Sequence, residues 1–346
     1  MAVIILNWNG KKFLEQFLPL VCEYSGNLAE VYVADNASTD NSVEYLEQNF
    51  PKVKTIRNPQ NGGFAYGYNA SLNKIKAEYY ILLNSDVEVT KGWIEPIIKL
   101  MDSDKNIGAV QPKIKSFTSP GYFEYAGAAG GFIDVYGYPF CRGRIFDTIE
   151  KDENQYDDIK EIFWATGACL FIRGPLYHEL GGFDEDLFSH QEEIDLCWRM
   201  KLLGHKVMYC PSSEVMHYGG GMLPKSNPFK TYLNFRNNLI ILCKNHPSRT
   251  LAWKIIVRMV LDGIAAFRFL LQGNSKDSWA IWRGHLHFYG SLPKTLKKRK
   301  ALKSRYLSEG IPLGQPVTCV YKRSIVKKYF IQRKKYFSQL NAEDFS

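Results

Sequence analysis

The sequence predicts an α/β fold in which helices flank a mostly parallel β-sheet. Short apolar runs alternate with amphipathic stretches through the first hundred residues. The run at Tyr79–Leu83 is continuous, which is typical of a strand buried on both faces. Each run ends in small polar residues, and the carboxyl ends of strands in an open sheet are where ligands bind. These three observations together favour a sheet with a binding cleft along one edge.

The alternation has the order βαβαβαβ, which implies parallel strands joined by right-handed crossovers. Strands are expected at Ala2–Leu6, Val31–Ala34, Val53–Ile56 and Tyr79–Leu83, and helices at Lys11–Cys22, Thr39–Phe50 and Phe64–Lys76. Farther on, a helix is expected at Trp93–Met101, a strand at Ile107–Val110 and a last strand at Lys206–Cys210. Residues 116–147 are expected to form a loop-rich segment near the sugar site, in which most residues are interpreted as a spacer.

Composition limits the class of protein. A chain of 346 residues suggests one large domain or two, and an apolar content of 45% excludes a disordered chain. The seven cysteines are scattered without a CxxC pair, which favours reduced thiols in the cytosol over a disulfide framework or a zinc site. Because a strand-like apolar run opens the sequence, no secretory signal is expected.

The net charge of +9 is unevenly distributed. Residues 291–346 hold 14 Lys and Arg against 3 Asp and Glu, whereas the rest of the chain is close to neutral. The basic character therefore belongs to the tail. Such a tail can contact anionic lipid, nucleic acid or only solvent.

Three of the predicted strand ends carry candidate binding groups. Asp86 follows the fourth strand, where a carboxylate suits a Mg²⁺ or Mn²⁺ ion shared with phosphates, although it could instead cap the next helix. Asp35 ends the second strand and can accept hydrogen bonds from a nucleobase or a ribose. Gly62 and Gly63 would let the backbone approach a ligand closely. Ordinary turn and cap chemistry, for example at Ser38, is the alternative for the polar residues. Neither a GxGxxG fingerprint nor a P-loop is present.

Four segments carry a resemblance to a known family: Ile4–Asn9, Val33–Asp40, Asn61–Phe64 with Asn69, and Leu82–Asp86. Residues 3–86 resemble the nucleotide-sugar half of family 2 glycosyltransferases with the GT-A fold, nearest the bacterial rhamnosyl- and galactofuranosyltransferase branch. The resemblance implies that Asp35 contacts the nucleobase and that Asp86 binds the metal, Mn²⁺ or Mg²⁺. The implied nucleotide-sugar residues are Leu6, Asn7, Asn9, Asp35, Asn36, Ser38, Asn61, Gly62, Gly63, Asn69, Asn84 and Ser85. Asn84 departs from the family's DxD pattern, but its amide can still bond a ribose.

The second half of the resemblance concerns the acceptor side. A strand entered through small residues would leave room for substrate, and the expected acceptor and sugar pocket consists of Trp164, Thr166, Gly167 and Ala168. Acidic residues begin the next helix, where they could merely complement the helix dipole, and Asp195 and Arg199 could simply pair on its surface. The family resemblance implies a general base at Glu193, with Glu192 as the open alternative.

A histidine and three glycines follow the last acidic segment. The resemblance implies that His217 completes the metal site, although a lone histidine is more often structural. The glycines at 219–221 suggest a closing lid.

The segment Leu251–Leu271 is apolar but carries Lys254, Arg258, Asp262 and Arg268, so a spanning helix is not expected. An interfacial helix that places cations beside Trp253, Phe267 and Phe269 is favoured. A helical domain with a solvated face is the alternative.

The combined interpretation is a GT-A domain at 1–225, divided into a nucleotide-sugar half at 1–112 and an acceptor half at 113–225, with a helical, basic region at 226–346. It would be a metal-dependent, inverting glycosyltransferase at the cytoplasmic membrane face. It would attach peripherally to an anionic membrane surface. The expected donor is a UDP- or dTDP-sugar, and the expected acceptor is a saccharide or a lipid-linked saccharide in surface polysaccharide synthesis.

Two alternative functions agree less well with the sequence. A nucleotidyltransferase on sugar phosphates would need a Gly- and Lys-rich phosphate loop after the first strand, and the sequence has none there. A nucleic-acid-binding protein is suggested only by the tail, and the acidic clusters elsewhere oppose it, so no nucleic-acid partner is expected.

Overall fold

The structure is a computed structural model that describes residues 1–219, 227–247, 250–312 and 317–346. The helices are α1 Lys11–Ser25, α2 Ser42–Asn49, α3 Gly63–Leu72, α4 Glu95–Ser103, α5 Gly174–Glu179, α6 Glu192–Leu202, α7 Pro228–Asn245, α8 Leu251–Leu271 and α9 Ser275–Ser308. The strands are β1 Ala2–Asn7, β2 Glu30–Asp35, β3 Lys54–Arg57, β4 Tyr79–Asn84, β5 Val87–Val89, β6 Ile107–Ser116, β7 Gly131–Asp134, β8 Pro139–Cys141, β9 Arg144–Ile145, β10 Thr148–Ile149, β11 Lys160–Ile162, β12 Cys169–Arg173, β13 Lys206–His217 and β14 Val320–Tyr321. The α/β class predicted from the sequence is confirmed.

The first four predicted strands form one parallel block of the main sheet. The main sheet has the order β11-β13-β6-β12-β4-β1-β2-β3, and β5 pairs with β13. In the parallel block, Asn7 aligns with Asp35, and Leu6 aligns with Asn84. The polar ends of β1, β2 and β4 therefore lie side by side at one edge of the sheet.

The other half of the sheet is antiparallel where it joins this block. Strand β12 runs antiparallel to both β4 and β6, and β13 runs parallel to β6. At the end of β13, His217 pairs with Val87 of β5. This pairing places His217 beside Asp86, although the two residues are far apart in the sequence.

The spacer predicted over 116–147 is wrong in its second part. Residues from 131 onward form a small sheet of order β10-β9-β8-β7-β14, closed by a strand from the C-terminal region. Its strands are two to four residues long, too short to give a period-2 signal in the sequence. Strand β13 is also longer than predicted and is not the last strand of the chain.

The C-terminal helices share the core of the main sheet. Residues of α7 and the aromatic ring of Tyr321 lie in the same buried cluster as Ile4 and Leu82. The predicted boundary between 225 and 226 lies outside the described residues, as do Gly220 and Gly221 of the predicted lid. Among the helices described, none is long and apolar enough to cross a membrane.

Candidate functional site

Three hydrogen-bonded side chains, those of Asn7, Asp35 and Ser38, lie at the ends of β1 and β2. The amide of Asn7 donates to Oδ1 of Asp35 at 3.0 Å. The hydroxyl of Ser38 donates to the same oxygen at 2.5 Å, and the backbone N–H of Ser38 donates to Oδ2 at 2.9 Å. The Asp35 carboxylate is thereby held in one orientation at the strand end. The oxygen Oδ1 of Asn7 is buried and has no hydrogen-bond partner in the described structure.

The loops after β1 and β2 lock together. The backbone N–H of Asn9 donates to the Ser38 hydroxyl at 2.9 Å, and Asn9 accepts from the N–H of Thr39 at 2.7 Å. Asn9 and Ala37 both have positive φ, at 50° and 58°, a conformation that costs free energy and is common at functional sites. Ser38 does not cap the next helix, since α2 begins only at Ser42.

The predicted glycine pair has a structural explanation. Gly63 has a φ of +86°, and a Cβ there would lie 2.4 Å from the carbonyl oxygen of Phe188. A Cβ at Gly62 would collide with the ring of Tyr66. The close approach that these glycines permit is therefore to the chain itself. Asn61 accepts from the N–H of Gly63 at 3.0 Å and so shapes the same turn.

Two of the predicted nucleotide-sugar asparagines bond mainly to the chain. Asn36 donates to the carbonyl of Gly63 at 3.1 Å. Asn69 donates to the carbonyl of Phe183 at 3.0 Å and to Glu185 at 2.9 Å, and it accepts from the hydroxyl of Tyr177 at 2.6 Å. Asn69 therefore joins α3 to the segment before α6.

The end of β4 holds the predicted metal pair. Nε2 of His217 lies 3.1 Å from Oδ1 of Asp86, and both side chains are buried. On the other side of the ring, Nδ1 of His217 lies 3.3 Å from Oε2 of Glu124. Burial alone would lower the pKa of His217, but Glu124 and Asp86 raise it to about 10. Burial opposes ionisation of Glu124 too, yet His217 keeps the pKa of that carboxyl low.

Asp86 does not cap a helix, because β5 follows it directly and α4 begins only at Glu95. Within the described ranges, no three His, Cys, Asp or Glu side chains surround one point where an ion could sit. Two protein ligands nevertheless fit Mg²⁺ or Mn²⁺ at a diphosphate, since Mg²⁺ takes most of its ligands from phosphate oxygens and water. Asp86 and His217 supply an oxygen and a nitrogen for such an ion.

The residues predicted for the acceptor and sugar pocket are all buried. The indole of Trp164 donates to the carbonyl of Phe132 at 3.0 Å and packs on Gly131 of the small sheet. The hydroxyl of Thr166 accepts from the N–H of Ala168 at 3.2 Å. These residues form the floor behind the strand ends. A Cβ at Gly167 would lie 3.0 Å from the ring of Phe64.

The floor is joined directly to the end of β4. The carbonyl of Ala168 accepts from the N–H of Asn84 at 3.0 Å. Ser85 follows and is buried, and a Cβ at Gly10 would lie 3.4 Å from its hydroxyl oxygen. Leu6, the residue of β1 paired with Asn84, is likewise buried.

The two candidate bases begin α6 and differ in environment. Glu192 is 3% exposed, and its Oε2 has no hydrogen-bond partner in the described structure. Burial, together with Glu193 and Asp195, raises the pKa of Glu192 well above its usual value. Glu193 is half-buried, and burial raises its pKa to about 7.

The start of α6 lies near the end of β4. The hydroxyl of Tyr68 donates to the carbonyl of Leu83 at 3.2 Å. The N–H of Ala65, in the same helix as Tyr68, donates to the carbonyl of Phe188 in the loop before α6 at 3.3 Å. Helix α3 therefore connects the loop before the candidate bases to the end of β4.

Helix α7 clamps the loop that precedes the candidate base. Phe188, His190 and Gln191 of this loop all have positive φ, at 63°, 69° and 70°. The amide of Asn237 donates to the carbonyls of Leu187, Ser189 and His190 at 2.7–2.9 Å. The amide of Asn238 donates to Gln191 at 3.0 Å. The C-terminal region thus holds the strained turn that starts α6.

The prediction that Asp195 and Arg199 pair on the helix surface is wrong in its location. They do pair, at 2.9 Å, but both residues are buried. Lys244 of α7 lies 2.7 Å from Asp195 and adds a second cation. Lys298 of α9 lies beside Asp184 and Asp186 in a cluster that continues from this one. Part of the basic tail therefore pairs with partly buried acids of the segment before α6.

Sequence analysis did not identify Glu124 or Asn237. Glu124 lies in the stretch taken as a spacer, where no pattern distinguishes it. Asn237 belongs to the polar run Asn234–Asn238 at the start of an otherwise apolar helix. Polar amides inside such a helix are the signal from which a buried contact could have been predicted.

Comparison with known proteins places the chain in a family. The model of "Glycosyl transferase family 2" matches residues 2–178. The N-acetylglucosaminyl-diphospho-decaprenol L-rhamnosyltransferase of Mycobacterium tuberculosis is 24% identical over 286 residues, which cover 78% of this chain and 91% of that protein. The low-salt glycan biosynthesis hexosyltransferase Agl10 of Haloferax volcanii is 23% identical over 69% of this chain and 74% of its own.

Two solved structures share the fold. GalNAc-T7 with UDP, GalNAc and Mn²⁺ superposes with a TM-score of 0.54 at 19% identity, over 70% of this chain and 47% of that one. The mannosyltransferase PcManGT of Pyrobaculum calidifontis, in complex with GDP-Man and Mn²⁺, superposes with a TM-score of 0.52 at 14% identity, over 83% and 86%. The family match covers just over half of the chain. This protein belongs to glycosyl transferase family 2.

Proposed function

We propose that the protein transfers a sugar from a UDP- or dTDP-sugar to a lipid-linked saccharide, with inversion at the anomeric carbon and with Mn²⁺ or Mg²⁺ as cofactor. The observation that carries this proposal is the contact of Asp86 with His217 at the same sheet edge as Asp35. A nucleotide bound along that edge would have its base near Asp35 and its diphosphate near Asp86. The M. tuberculosis relative is named for a decaprenol-linked substrate, which supports a lipid-linked acceptor here.

The role proposed for the metal pair is to hold the cation against the diphosphate. Asp86 and His217 would contribute Oδ1 and Nε2. A bound cation would offset the negative charge that develops on the diphosphate as the sugar leaves. Glu124, on the far nitrogen of the ring, would orient His217 and fix which nitrogen carries the proton.

Glu193 is proposed as the general base. Its pKa of about 7 allows it to be ionised at neutral pH and still accept a proton efficiently. As the acceptor hydroxyl attacks, its proton passes to Glu193, the new bond forms between the hydroxyl oxygen and the anomeric carbon, and the bond to the diphosphate breaks. Attack from the face opposite the diphosphate gives inversion. Glu192, whose pKa is raised well above its usual value, would stay protonated.

The location proposed is the inner face of the cytoplasmic membrane, since a lipid-linked acceptor is held there. The protein would attach peripherally, so that the acceptor and the site share one surface.

The test is a donor panel followed by transfer. The purified protein with Mn²⁺ is incubated with UDP-, dTDP- and GDP-sugars, and release of the nucleoside diphosphate is measured with and without a polyprenyl-diphosphate-linked saccharide. We expect one UDP- or dTDP-sugar to be turned over, and faster with acceptor. Glu193→Gln should lose transfer, whereas Glu95→Gln, an exposed acid at the start of α4, should not. Turnover restricted to GDP-sugars, or equal rates in the two variants, would contradict the proposal.

A further inference from the structure

Helix α8 has its polarity inverted relative to a normal surface helix. Its charged residues Arg258 and Asp262 are buried, at 3% and 0% exposure. Its large apolar residues point outward with exposures of 54–74%: Trp253, Ile256, Val260, Ile264, Phe267 and Leu271. Their spacing of three and four residues places them on one face of the helix.

The first half of α9 repeats this arrangement. Trp279, Trp282, Leu286 and Tyr289 are 54–63% exposed and again follow a spacing of three and four. The hydroxyl of Tyr289 reaches the sulfur of Met259 on α8 at 3.0 Å, so the two helices lie against each other. We refer to these ten residues of the two helices as the α8–α9 apolar face.

A buried polar network fixes which side of α8 faces inward. Arg258 donates to Asp262 at 2.8 Å, and His285 of α9 lies 3.2 Å from the same carboxylate. The hydroxyl of Tyr138 donates to Asp262 at 2.8 Å, and the guanidinium of Arg258 lies 3.4 Å from the centre of its ring. Turning the helix to hide its apolar face would leave these charges unpaired. The outward apolar face is therefore a stable feature of the fold.

The charges around the face have one sign. Arg268, Lys276 and Arg283 are exposed on α8 and α9 near it, and Lys297 and Lys300 are exposed farther along α9. The acids of these two helices are Asp262, which is buried, and Asp277, which is half-buried and bonded to Thr231. Two copies that met through this face would bring like charges together. An anionic lipid surface would bring opposite charges together.

We propose that the α8–α9 apolar face binds an anionic membrane surface. An amphipathic helix that lies in the plane of a membrane buries its apolar face at the boundary of headgroups and acyl chains. Trp and Tyr favour that boundary, and cations near it are attracted to anionic lipid. The tail cations Lys298 and Arg299 are not part of this surface, because they bond to Asp184 and to backbone carbonyls.

Helix α7 connects the inner side of α8 to the loop before the candidate base. Arg258 bonds to Asn238 of α7, and Asn238 bonds to Gln191, the residue before Glu192. Binding through the opposite side of α8 would therefore keep the start of α6 near the membrane. The benefit for a lipid-linked acceptor rests on the proposed function, but the binding itself does not.

The test is flotation of the full chain with vesicles of phosphatidylcholine alone or with phosphatidylglycerol added. We expect the wild type to float with the anionic vesicles, and the double variant Ile264→Gln/Phe267→Gln to float at least 5-fold less. The matched control Leu28→Gln/Ile159→Gln changes two exposed apolar residues on other surfaces and should float like the wild type. The variant Arg268→Gln/Lys276→Gln should lose binding mainly at low salt.

Donor turnover of each variant is measured without vesicles, so that loss of the proposed activity is seen separately from loss of membrane binding. A wild type that does not float, or a face variant that floats as well as the control, overturns the proposal. Size-exclusion chromatography adds a further outcome: a wild-type dimer that becomes a monomer only in the face variant would make this surface a self-association site and would also overturn it.

Discussion

Nδ1 of His217 lies 3.3 Å from Oε2 of Glu124, on the side of the ring that faces away from Asp86. The ring thus lies between two carboxylates, each against a different nitrogen. A metal-binding histidine usually donates its other N–H to an acceptor such as a carboxylate, and this contact sets the tautomer. The arrangement suits Nε2 for a cation and leaves Nδ1 for Glu124.

Replacing Glu124 with Gln should weaken Mn²⁺ binding about 10- to 100-fold, because the partner that orients His217 is lost. Isothermal titration with Mn²⁺ and a nucleoside diphosphate measures the effect directly and needs no turnover. Glu153→Gln, an exposed acid on a nearby loop, is the matched control. If Glu124→Gln binds Mn²⁺ as the control does, Glu124 has no positioning role.

Replacing Asp86 with Ala should abolish donor turnover and Mn²⁺-dependent nucleotide binding without unfolding the chain. His217→Ala should retain partial activity with weaker metal binding. Chelation by EDTA should stop the wild type, and added Mn²⁺ or Mg²⁺ should restore it. Full turnover in EDTA would rule out the metal-dependent mechanism.

The parallel block could be predicted because β1, β2 and β4 each contain a continuous apolar run and clear helices separate the strands, although β3 is short and polar. Asp86 and Asp35 were found there because polar residues end those strands. Their pairing partners are less visible. Glu124 lies beside His217 because β13 pairs with β6 and the chain after β6 folds back onto that strand. No local sequence pattern records a contact between residues so far apart in the chain.

Helix α8 shows a second limit of the sequence. Its periodicity gives an apolar face and interrupting charges, but a pattern does not say which side is inside. The usual assumption would bury Ile264 and expose Arg258. Buried partners on other elements, Tyr138 and His285, reverse that orientation. Likewise, Lys298 belongs to a basic stretch whose composition is typical of a solvated tail. Its ion pair with Asp184 could not be predicted from that composition.

The pH dependence of transfer should report Glu193. Burial raises its pKa to about 7, and the base must be ionised to accept a proton, so kcat/KM should rise as the pH increases through about 7. Glu193→Gln should reduce transfer by about 10²- to 10⁴-fold with little change in donor affinity. The comparison variant is Glu192→Gln, which keeps a neutral, buried side chain and should retain most activity. The opposite ranking would assign the base to Glu192.

The last prediction concerns the clamp from α7. Asn237 is buried and donates to three carbonyls of the turn before α6, so Asn237→Ala should let this turn relax and move Glu193. A displacement near 1 Å at a reacting group can cost about 10²-fold in rate, and we expect a loss of kcat of that order. The KM for the donor should change little, because the nucleotide residues lie on other elements.

A positioning role has a specific signature in the pH profile. Relaxation of the turn would admit water to Glu193, reduce the effect of burial, and shift the apparent pKa of the base downward from about 7. Asn234→Ala on the same helix is the control, since Gln191 mainly bonds the backbone carbonyl at that position. A lower rate with an unshifted pH profile would indicate that Asn237 only stabilises the fold.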